Sequence, residues 1–558
     1  MGIGVCYFPE HWPREEWADG VAAMADAGID TVRMGEFAWS RYEPEPGRYE
    51  FEWLEDAVDL VAEHGMDAVL CTPTAAPPKW LVDEHPEIRQ EDADGDPTNF
   101  GGRRHYCFNS PVYREKTREI VSAMAESFAD HPAVVGWQTD NEYGCHGTLT
   151  CYCEDCASAF RDWLREKYDG IDDLNESWGN AFWSQEYNGF HAVDPPRTAA
   201  GGQHPARELE YARFSSDSVV EYNRLQTDVL RDADDEWFVT HNFMHLFGGL
   251  DTYDVCEDLD FASWDSYPTG HVQLRRGEGA TADQLRAGDP DLVSLNHAIY
   301  DGAADGPFWI MEQQPGGVNW PPQPTQPGEG AMALWAHHAT AHGADTVTYF
   351  RWRRCRMGQE QYHAGLRRQD GSPDRGYRDA DRAAEELADL DTGGDGPGGG
   401  ENGDGASVAL LHDYENLWGL SIEPASVDFD YWDHLVTYYA ALRRRGVAVD
   451  VLPVDAALDG YDAVVGPTLY FADAALADRL DAAARDGAEV LLTVRSGVKD
   501  EFNKLRATLP GPLEDAVGAE VTQYEGFRGD AAPELTYRDE TYDFRTWGEW
   551  LDAGDAEA

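Results

Sequence analysis

The stretch "VVGWQTDNE", residues 134–142, is a short apolar run of β type that ends in a carboxylate, and its pattern recurs through the first 391 residues. The segments between such runs, for example 13–28 and 52–65, have apolar residues spaced three and four apart and end in glycine. This spacing and these glycines are typical of helices and of their ends. Eight runs of the β type occur, at 3–8, 31–37, 68–71, 134–139, 238–242, 261–266, 308–312 and 346–350.

Eight strands that alternate with helices predict an α/β fold, a (β/α)₈ TIM barrel with insertions. A doubly wound sheet is the alternative, but that fold usually has fewer units and a glycine-rich first turn. The first run, "GIGVCYFPE" at 2–10, lacks the G-x-G-x-x-G pattern of such a turn. We therefore predict a barrel over residues 1–391.

The composition and the apolar pattern of the chain change after residue 391. Residues 392–405, "TGGDGPGGGENGDG", have the composition of a flexible linker. Over 406–545, four apolar runs alternate with helical segments rich in alanine and aspartate, which predicts a smaller, open α/β domain with a parallel sheet. Residues 546–558 show no completed unit, and we expect a short C-terminal tail there.

The charge balance excludes some classes of partner. The 105 acidic and 43 basic residues give a formal net charge of −62, so we expect no binding to nucleic acid or to anionic membranes, both of which require lysine and arginine. The acidic residues are dispersed, as in proteins adapted to a salt-rich cytoplasm. No basic leader with an apolar core and no run of eighteen apolar residues is present. We expect a cytoplasmic protein.

Five acidic residues lie at or near the carboxyl ends of predicted strands, where barrel enzymes carry their active sites: Glu10, Glu36, Glu142, Asp265 and Glu312. Many such residues only organise loops. Glu142 and Glu312 differ from the other three. Glu142 directly follows the fourth buried run, and Glu312 ends the seventh. Two carboxylates from these strands can face each other at the roughly 5 Å that a retaining glycosidase needs. One would be protonated and the other ionised.

A cysteine cluster follows the fourth run. Cys151, Cys153 and Cys156 form C-x-C-x-x-C, which is one thiolate short of a tetrahedral zinc site. Cys145 is the near candidate for the fourth ligand and Cys107 the remote one, and spacing alone leaves both open. A closed set of four thiolates has no position for water or substrate, so the predicted role is structural. The alternative is a set of reduced cysteines that hold no metal.

Six motifs occur in one order along the chain: "GVCYFPEHWP" (4–13), "CTPTAAPPKWL" (71–81), "GRRHYCFNSP" (102–111), "GWQTDNEYG" (136–144), "MEQQPG" (311–316) and "YFRWR" (349–353). They resemble glycoside hydrolase family 42, the β-galactosidases, and the resemblance covers the barrel and the second domain. With its net charge of −62, the chain looks like an acidic, halophile-type member of that family.

The resemblance implies a retaining exo-β-galactosidase that cleaves terminal β-D-galactosides through a covalent intermediate. In this reading Glu142 is the general acid/base and Glu312 the nucleophile. Eight further residues match the family's sugar-binding positions or its pocket wall: Arg103, Asn141, Trp320, Glu360 and His363, then Trp183, Tyr267 and Phe350.

The family pattern also implies that Cys107 is the fourth ligand of a structural zinc ion, and that no organic cofactor is needed. It implies a homotrimer, because the second domain resembles the family's trimerisation domain. Family members usually carry a further small β domain at the C-terminus, which we expect to be absent here.

Three alternatives to a retaining β-galactosidase stay open. The same mechanism could act on β-D-fucosides or α-L-arabinopyranosides, which share the ring hydroxyls of galactose and differ at C5. The chain could also be a non-catalytic galactoside-binding protein, although the presence of both glutamates argues against this. A zinc hydrolase would require the metal to be catalytic.

Overall fold

The computed structural model describes residues 1–304, 306–388, 407–528 and 531–554. The predicted linker at 392–405 lies outside these residues. The chain divides into two compact units, the first made of residues 1–92, 96–155 and, as far as it is described, 217–388. The second unit takes in residues 93–95, 156–216 and the described residues from 407 onward.

The first unit is built on a sheet in which every pair of neighbouring strands is parallel. Its nine strands are β1 (Gly2–Cys6), β2 (Thr31–Met34), β3 (Asp67–Cys71), β4 (Val134–Gln138), β5 (Phe238–Thr240), β6 (Asn242–Phe243), β7 (Ser263–Ser266), β8 (Trp309–Gln313) and β9 (Thr346–Tyr349).

The order of these strands is β5-β4-β3-β2-β1-β9-β8-β7-β6. β5 and β6 are two halves of one stretch, residues 238–243, interrupted at His241. The first half pairs with β4 and the second with β7, so a continuous piece of chain joins the two ends of the sheet. The first unit is therefore a TIM barrel, as the eight predicted runs indicated.

Helices α1 to α18 connect and flank the strands of both units. Their bounds are α1 (Trp17–Ala25), α2 (Trp39–Tyr42), α3 (Glu52–Glu63), α4 (Lys79–Glu84), α5 (Pro111–Phe128), α6 (Glu154–Lys167), α7 (Ile171–Trp178), α8 (Pro205–Ala233), α9 (Thr252–Cys256), α10 (Pro268–Arg276), α11 (Gln284–Ala287), α12 (Pro290–Asp301), α13 (Ala331–Ala341), α14 (Arg375–Ala388), α15 (Tyr414–Ile422), α16 (Tyr431–Arg443), α17 (Ala474–Asp486) and α18 (Glu514–Val517).

Helix α3 shows how the sequence pattern produces the packing. Its buried residues are Leu54, Ala57, Val58 and Val61, a spacing of three and four that forms one apolar stripe. This stripe belongs to the large apolar cluster of the first unit. On the strand side, Gly136 allows β4 and β5 to pack closely, since a Cβ atom there would lie 2.4 Å from the Phe238 ring.

The second unit has its own parallel sheet, in the order β11-β10-β12-β13. With its helices it forms the smaller open α/β domain that the sequence predicted. The predicted tail contributes a strand, β17, which pairs antiparallel with β14. The strands of this unit are β10 (Ser407–His412), β11 (Ala448–Pro453), β12 (Ala463–Gly466), β13 (Glu489–Leu492), β14 (Glu520–Gly526), β15 (Glu534–Tyr537), β16 (Glu540–Asp543) and β17 (Trp547–Asp552).

Within the described ranges, none of the helices combines the length and the apolar character that crossing a membrane requires.

Candidate active site

The two predicted catalytic glutamates lie at the same end of the barrel. Glu312 is the fourth residue of β8, and Glu142 lies four residues beyond the end of β4. Because all barrel strands are parallel, their carboxyl ends form one mouth. The charge of Glu142 acts on Glu312, whose pKa it raises.

Both carboxylate oxygens of Glu312 accept a hydrogen bond. Arg33 Nη1 donates to Oε1 at 2.9 Å, and the Tyr267 hydroxyl donates to Oε2 at 2.5 Å. Burial raises the pKa of Glu312, Arg33 and Tyr267 oppose that effect, and the net shift is upward. Donors on both oxygens fix the orientation of the carboxylate and stabilise its ionised form.

Arg33 is a buried cation on the strand β2. Its guanidinium contacts the sulfur atoms of Cys71 (3.4 Å) and Cys6 (3.3 Å), and its Nη2 donates to Glu36 Oε1. Arg33 is 2% exposed and Glu36 is 1% exposed. The sequence analysis assigned no role to Arg33. An arginine inside an apolar strand run was the signal, because a buried charge requires a partner.

A tightly bonded turn carries Glu142. Both Asp140 (φ 47°) and Glu142 (φ 43°) have left-handed backbone conformations, which are uncommon outside glycine. The Asp140 carboxylate accepts from Thr74 Oγ1 at 2.6 Å, the Tyr106 hydroxyl at 2.8 Å and Arg104 Nη1 at 3.3 Å. These bonds hold the turn in a conformation that the backbone alone disfavours.

The Glu142 side chain lies beside two predicted sugar-binding residues. Its Oε2 is 3.4 Å from Arg103 Nη2 and 3.4 Å from the side-chain nitrogen of Asn141 as one amide orientation places it. In the opposite orientation the Asn141 oxygen accepts from Arg104 Nη2 at 3.0 Å and Arg103 Nη1 at 3.1 Å, and its nitrogen faces Glu36 Oε1. The second orientation satisfies both ends of the amide, so Asn141 contacts Glu36 with its nitrogen and the two arginines with its oxygen.

Glu360 and His363 form a second polar group in the barrel unit. Arg351 Nη2 donates to Glu360 Oε2. Burial raises the pKa of Glu360, but Arg351 and His363 lower it, and the net shift is downward. Burial lowers the pKa of His363 to about 4, so its imidazole is neutral at pH 7. With Nδ1 donating to the Ala364 carbonyl (3.0 Å), Nε2 can accept from a ligand hydroxyl.

Aromatic rings form a wall beside Glu312. The Tyr267 ring meets Trp320 at 5.7 Å, His363 at 5.7 Å and Phe350 at 6.5 Å, each nearly edge-on. Trp320 is 40% exposed, whereas Tyr267 and Phe350 are buried. A partly exposed indole next to a buried carboxylate suits stacking against the apolar face of a sugar ring.

Trp183 is the one predicted sugar-pocket residue that the barrel unit does not contain. It belongs to residues 156–216 of the second unit, where its side chain is 79% exposed and its ring packs against Phe182 at 4.7 Å. The structure therefore brings together Arg103 and Asn141 with Glu142, and Tyr267, Trp320, Phe350 and His363 with Glu312.

Four cysteine sulfur atoms lie together and could hold a metal ion. Cys107, Cys151, Cys153 and Cys156 are buried, and their sulfurs all lie within 4.8 Å of one another. Backbone N–H groups of Glu91 and Asn109 approach two of these sulfurs at 3.4 and 3.3 Å. Cys145 is not in this group, so the remote candidate, Cys107, completes it.

Some residues of the site were not predicted at all. Arg351 contacts Glu360 and stacks on Phe8 at 4.4 Å, and Asn242 donates to Asp265 Oδ2 at 2.7 Å. Asp265 is fully buried, and burial raises its pKa, with Glu312 and Glu142 adding to the shift. Asp265 was noted only as a strand-end acid, and its partner Asn242 lies on the neighbouring strand β6.

Two family models match the chain. One described as β-galactosidase, glycoside hydrolase 42, matches residues 6–390. One described as the β-galactosidase trimerisation domain matches residues 406–558. The two matches together include nearly all of the sequence.

Known proteins resemble the chain over almost its whole length. A β-galactosidase of Haloferax lucentense is 57% identical over 552 residues, which is 99% of this chain and 81% of that protein. One of Thermus thermophilus is 45% identical, over 99% of this chain and 84% of that protein. The solved structure of a polyextremophilic β-galactosidase from Halorubrum lacusprofundi superposes with a TM-score of 0.96 at 59% identity, over 100% of this chain and 82% of that one.

Proposed function

This chain belongs to glycoside hydrolase family 42 and is a retaining β-galactosidase, and we propose that Glu312 is its nucleophile and Glu142 its general acid/base. The observation that carries this assignment is the different surroundings of the two carboxylates. Glu312 holds a cationic and a hydroxyl donor on its two oxygens, whereas Glu142 stands beside Arg103 and Asn141. Two donors orient Glu312 as an anion, whereas the Glu142 side chain, 15% exposed against 7% for Glu312, can exchange a proton with a leaving group or with water.

In the first step, a Glu312 oxygen attacks the anomeric carbon while Glu142 gives its proton to the glycosidic oxygen. The bond from C1 to the leaving group breaks as the ester bond from C1 to Glu312 forms. In the second step, Glu142 removes a proton from water, the water oxygen attacks C1, and the ester bond to Glu312 breaks. Two inversions at C1 give net retention.

The polar groups near the glutamates suit the hydroxyls of a terminal galactose. Glu360, an anionic acceptor, and His363, a neutral ring, would accept from ring hydroxyls. Asn141 and Arg103 would contact the 2-hydroxyl, a contact that strengthens as the transition state acquires oxocarbenium character. Trp320 would stack on the sugar face.

Proton NMR of the hydrolysis of a nitrophenyl β-D-galactoside tests this function. We expect β-galactose as the first product, because the two-step route retains configuration. The matching β-D-fucoside and α-L-arabinopyranoside, which change only the group at C5, show which sugar the site prefers. α-Galactose as the first product would contradict the nucleophilic role, and binding without turnover would contradict an enzymatic one.

We also propose that the cysteine cluster, defined by Cys107, Cys151, Cys153 and Cys156, holds a structural zinc ion. With Zn–S bonds of about 2.3 Å, tetrahedral ligands would have sulfur atoms about 3.8 Å apart. The sulfurs of Cys153 and Cys107 are 3.5 Å apart, and the whole set lies within 4.8 Å. Four thiolates with N–H donors around them fill the coordination shell, which leaves no open position for chemistry.

Replacing Cys107 with serine tests the zinc assignment. We expect the metal content, measured by mass spectrometry, to fall from one zinc per chain to well below one. The melting temperature should drop by about 5 °C or more, because metal binding contributes to folding free energy. Cys145→Ser is the matched control and should change neither value. Equal zinc content in both variants would show that Cys107 is not a ligand.

Two further proposals rest on coarser observations. We propose a homotrimer, supported by the match of residues 406–558 to a trimerisation domain. We propose a cytoplasmic location, supported by the cluster of free cysteines, since a reducing compartment keeps such thiols from forming disulfides.

A further inference from the structure

Glu36 is a buried carboxyl that the mechanism above does not use. It follows β2 at the barrel mouth and is 1% exposed. Its Oε1 accepts from Arg33 Nη2 and from Gln138 Nε2, the latter at 3.4 Å. Its Oε2 is buried and has no hydrogen-bond partner among the residues that the structure describes.

Glu36 shares Arg33 with the nucleophile. Arg33 Nη1 donates to Glu312 Oε1 at 2.9 Å, and Nη2 of the same guanidinium donates to Glu36 Oε1. All three side chains are buried, so water does not screen the competition. A single positive charge stabilises one carboxylate fully only where the other carboxyl stays neutral.

Asn141 also contacts Glu36. In the amide orientation that satisfies both ends of the side chain, its nitrogen faces Glu36 Oε1, and its oxygen accepts from Arg104 Nη2 at 3.0 Å and Arg103 Nη1 at 3.1 Å. Glu36 is therefore held within the group of residues that surrounds the two catalytic glutamates.

The charged and titratable groups that face Glu36 come from several elements. They are Arg33 on β2, Arg103 before α5, Glu142 after β4 and Glu312 on β8, together with Asp265 on β7 and the thiols of Cys6 on β1 and Cys71 on β3. Burial raises the pKa of Glu36 to about 8; Arg33 and Arg103 oppose this, and Glu312 and Glu142 add to it. A pKa of about 8 leaves Glu36 mostly protonated at pH 7.

We propose that Glu36 is a positioning residue for the nucleophile: while it is neutral it leaves the positive charge of Arg33 to Glu312, and when it ionises it competes with Glu312 for that charge. The inference rests on the roles proposed for Glu312 and Glu142. It predicts a loss of activity at alkaline pH that is separate from deprotonation of the acid.

A substrate with an activated leaving group separates the two effects. Dinitrophenolate leaves without a proton, so the pH profile of kcat/KM for dinitrophenyl β-D-galactoside does not depend on acid assistance. We expect the wild type to lose activity at alkaline pH even with this substrate. In Glu36→Gln, which keeps the neutral shape, the alkaline inflection should rise by at least about one pH unit or vanish.

Glu36→Asp is the matched control, since it keeps an ionisable group at this position and should keep the alkaline inflection. Melting temperatures of both variants show whether each is folded. The same alkaline inflection in the wild type and in Glu36→Gln, or none in the wild type, would overturn the proposal. The roles of Glu312 and Glu142 are tested separately, by the products that variants of these two residues form with azide. Those results would therefore leave both assignments intact.

Discussion

Glu312→Gly is expected to hydrolyse a nitrophenyl β-D-galactoside roughly 10⁴-fold or more slowly than the wild type, which corresponds to a barrier about 5.5 kcal/mol higher. Without the carboxylate, no ester to C1 can form. In this variant the charge of Glu312 no longer raises the pKa of Glu36, so Glu36 can ionise and pair with Arg33; the buried cation is not left uncompensated, and the fold should persist.

Added azide should restore turnover of Glu312→Gly. The small anion fits the space of the lost side chain and attacks C1 from the face that Glu312 occupied. One displacement then replaces two, so the product is α-galactosyl azide, with inverted configuration. A variant that folds, as its melting temperature and zinc content show, but gives β-galactosyl azide or keeps most of its activity would show that another residue is the nucleophile.

Glu142→Ala is expected to have an effect that depends on the leaving group. For lactose or an alkyl galactoside, whose leaving oxygen needs a proton, kcat/KM should fall by about 10²–10⁴-fold. For dinitrophenyl β-D-galactoside, kcat/KM should change by less than about tenfold, because glycosylation of Glu312 needs no acid there. A series of aryl galactosides of graded leaving-group pKa measures this dependence.

Azide distinguishes the two variants by the product. In Glu142→Ala, Glu312 still forms the ester, and azide in place of water gives β-galactosyl azide with retained configuration. Each variant thus assigns one role on its own. The α-azide identifies Glu312 as the nucleophile, and the β-azide identifies Glu142 as the acid/base. An equal loss of kcat/KM for every leaving group would contradict an acid role for Glu142 and point to binding or folding instead.

The barrel could be predicted because its strands are short continuous apolar runs, whereas the apolar residues of its helices are spaced three and four apart. The errors at strand ends have a physical reason. The run at 3–8 was predicted as one strand, but β1 ends at Cys6, and Phe8 instead packs with Phe350 in an aromatic cluster. Apolar residues that line the pocket extend the pattern beyond the strand, and sequence alone does not separate the two uses.

Two features of the site depended on contacts that spacing does not encode. Cys145 is closer in sequence to the three clustered cysteines, yet Cys107, 44 residues before Cys151, completes the group. Arg33 and Glu312 are 279 residues apart and meet because β2 and β8 belong to one ring. Strand-end position identified the carboxylates, but their partners follow from the three-dimensional packing of the barrel.

The turn that carries Glu142 also bears on how the protein tolerates mutation. A left-handed backbone at a residue other than glycine costs about 1–3 kcal/mol, and asparagine or glycine would adopt it with less strain. Selection for stability alone would therefore favour replacement of Glu142, whereas selection for turnover retains it. Substitutions of Glu142 that relieve this strain would therefore give a protein that is more stable and folded but inactive.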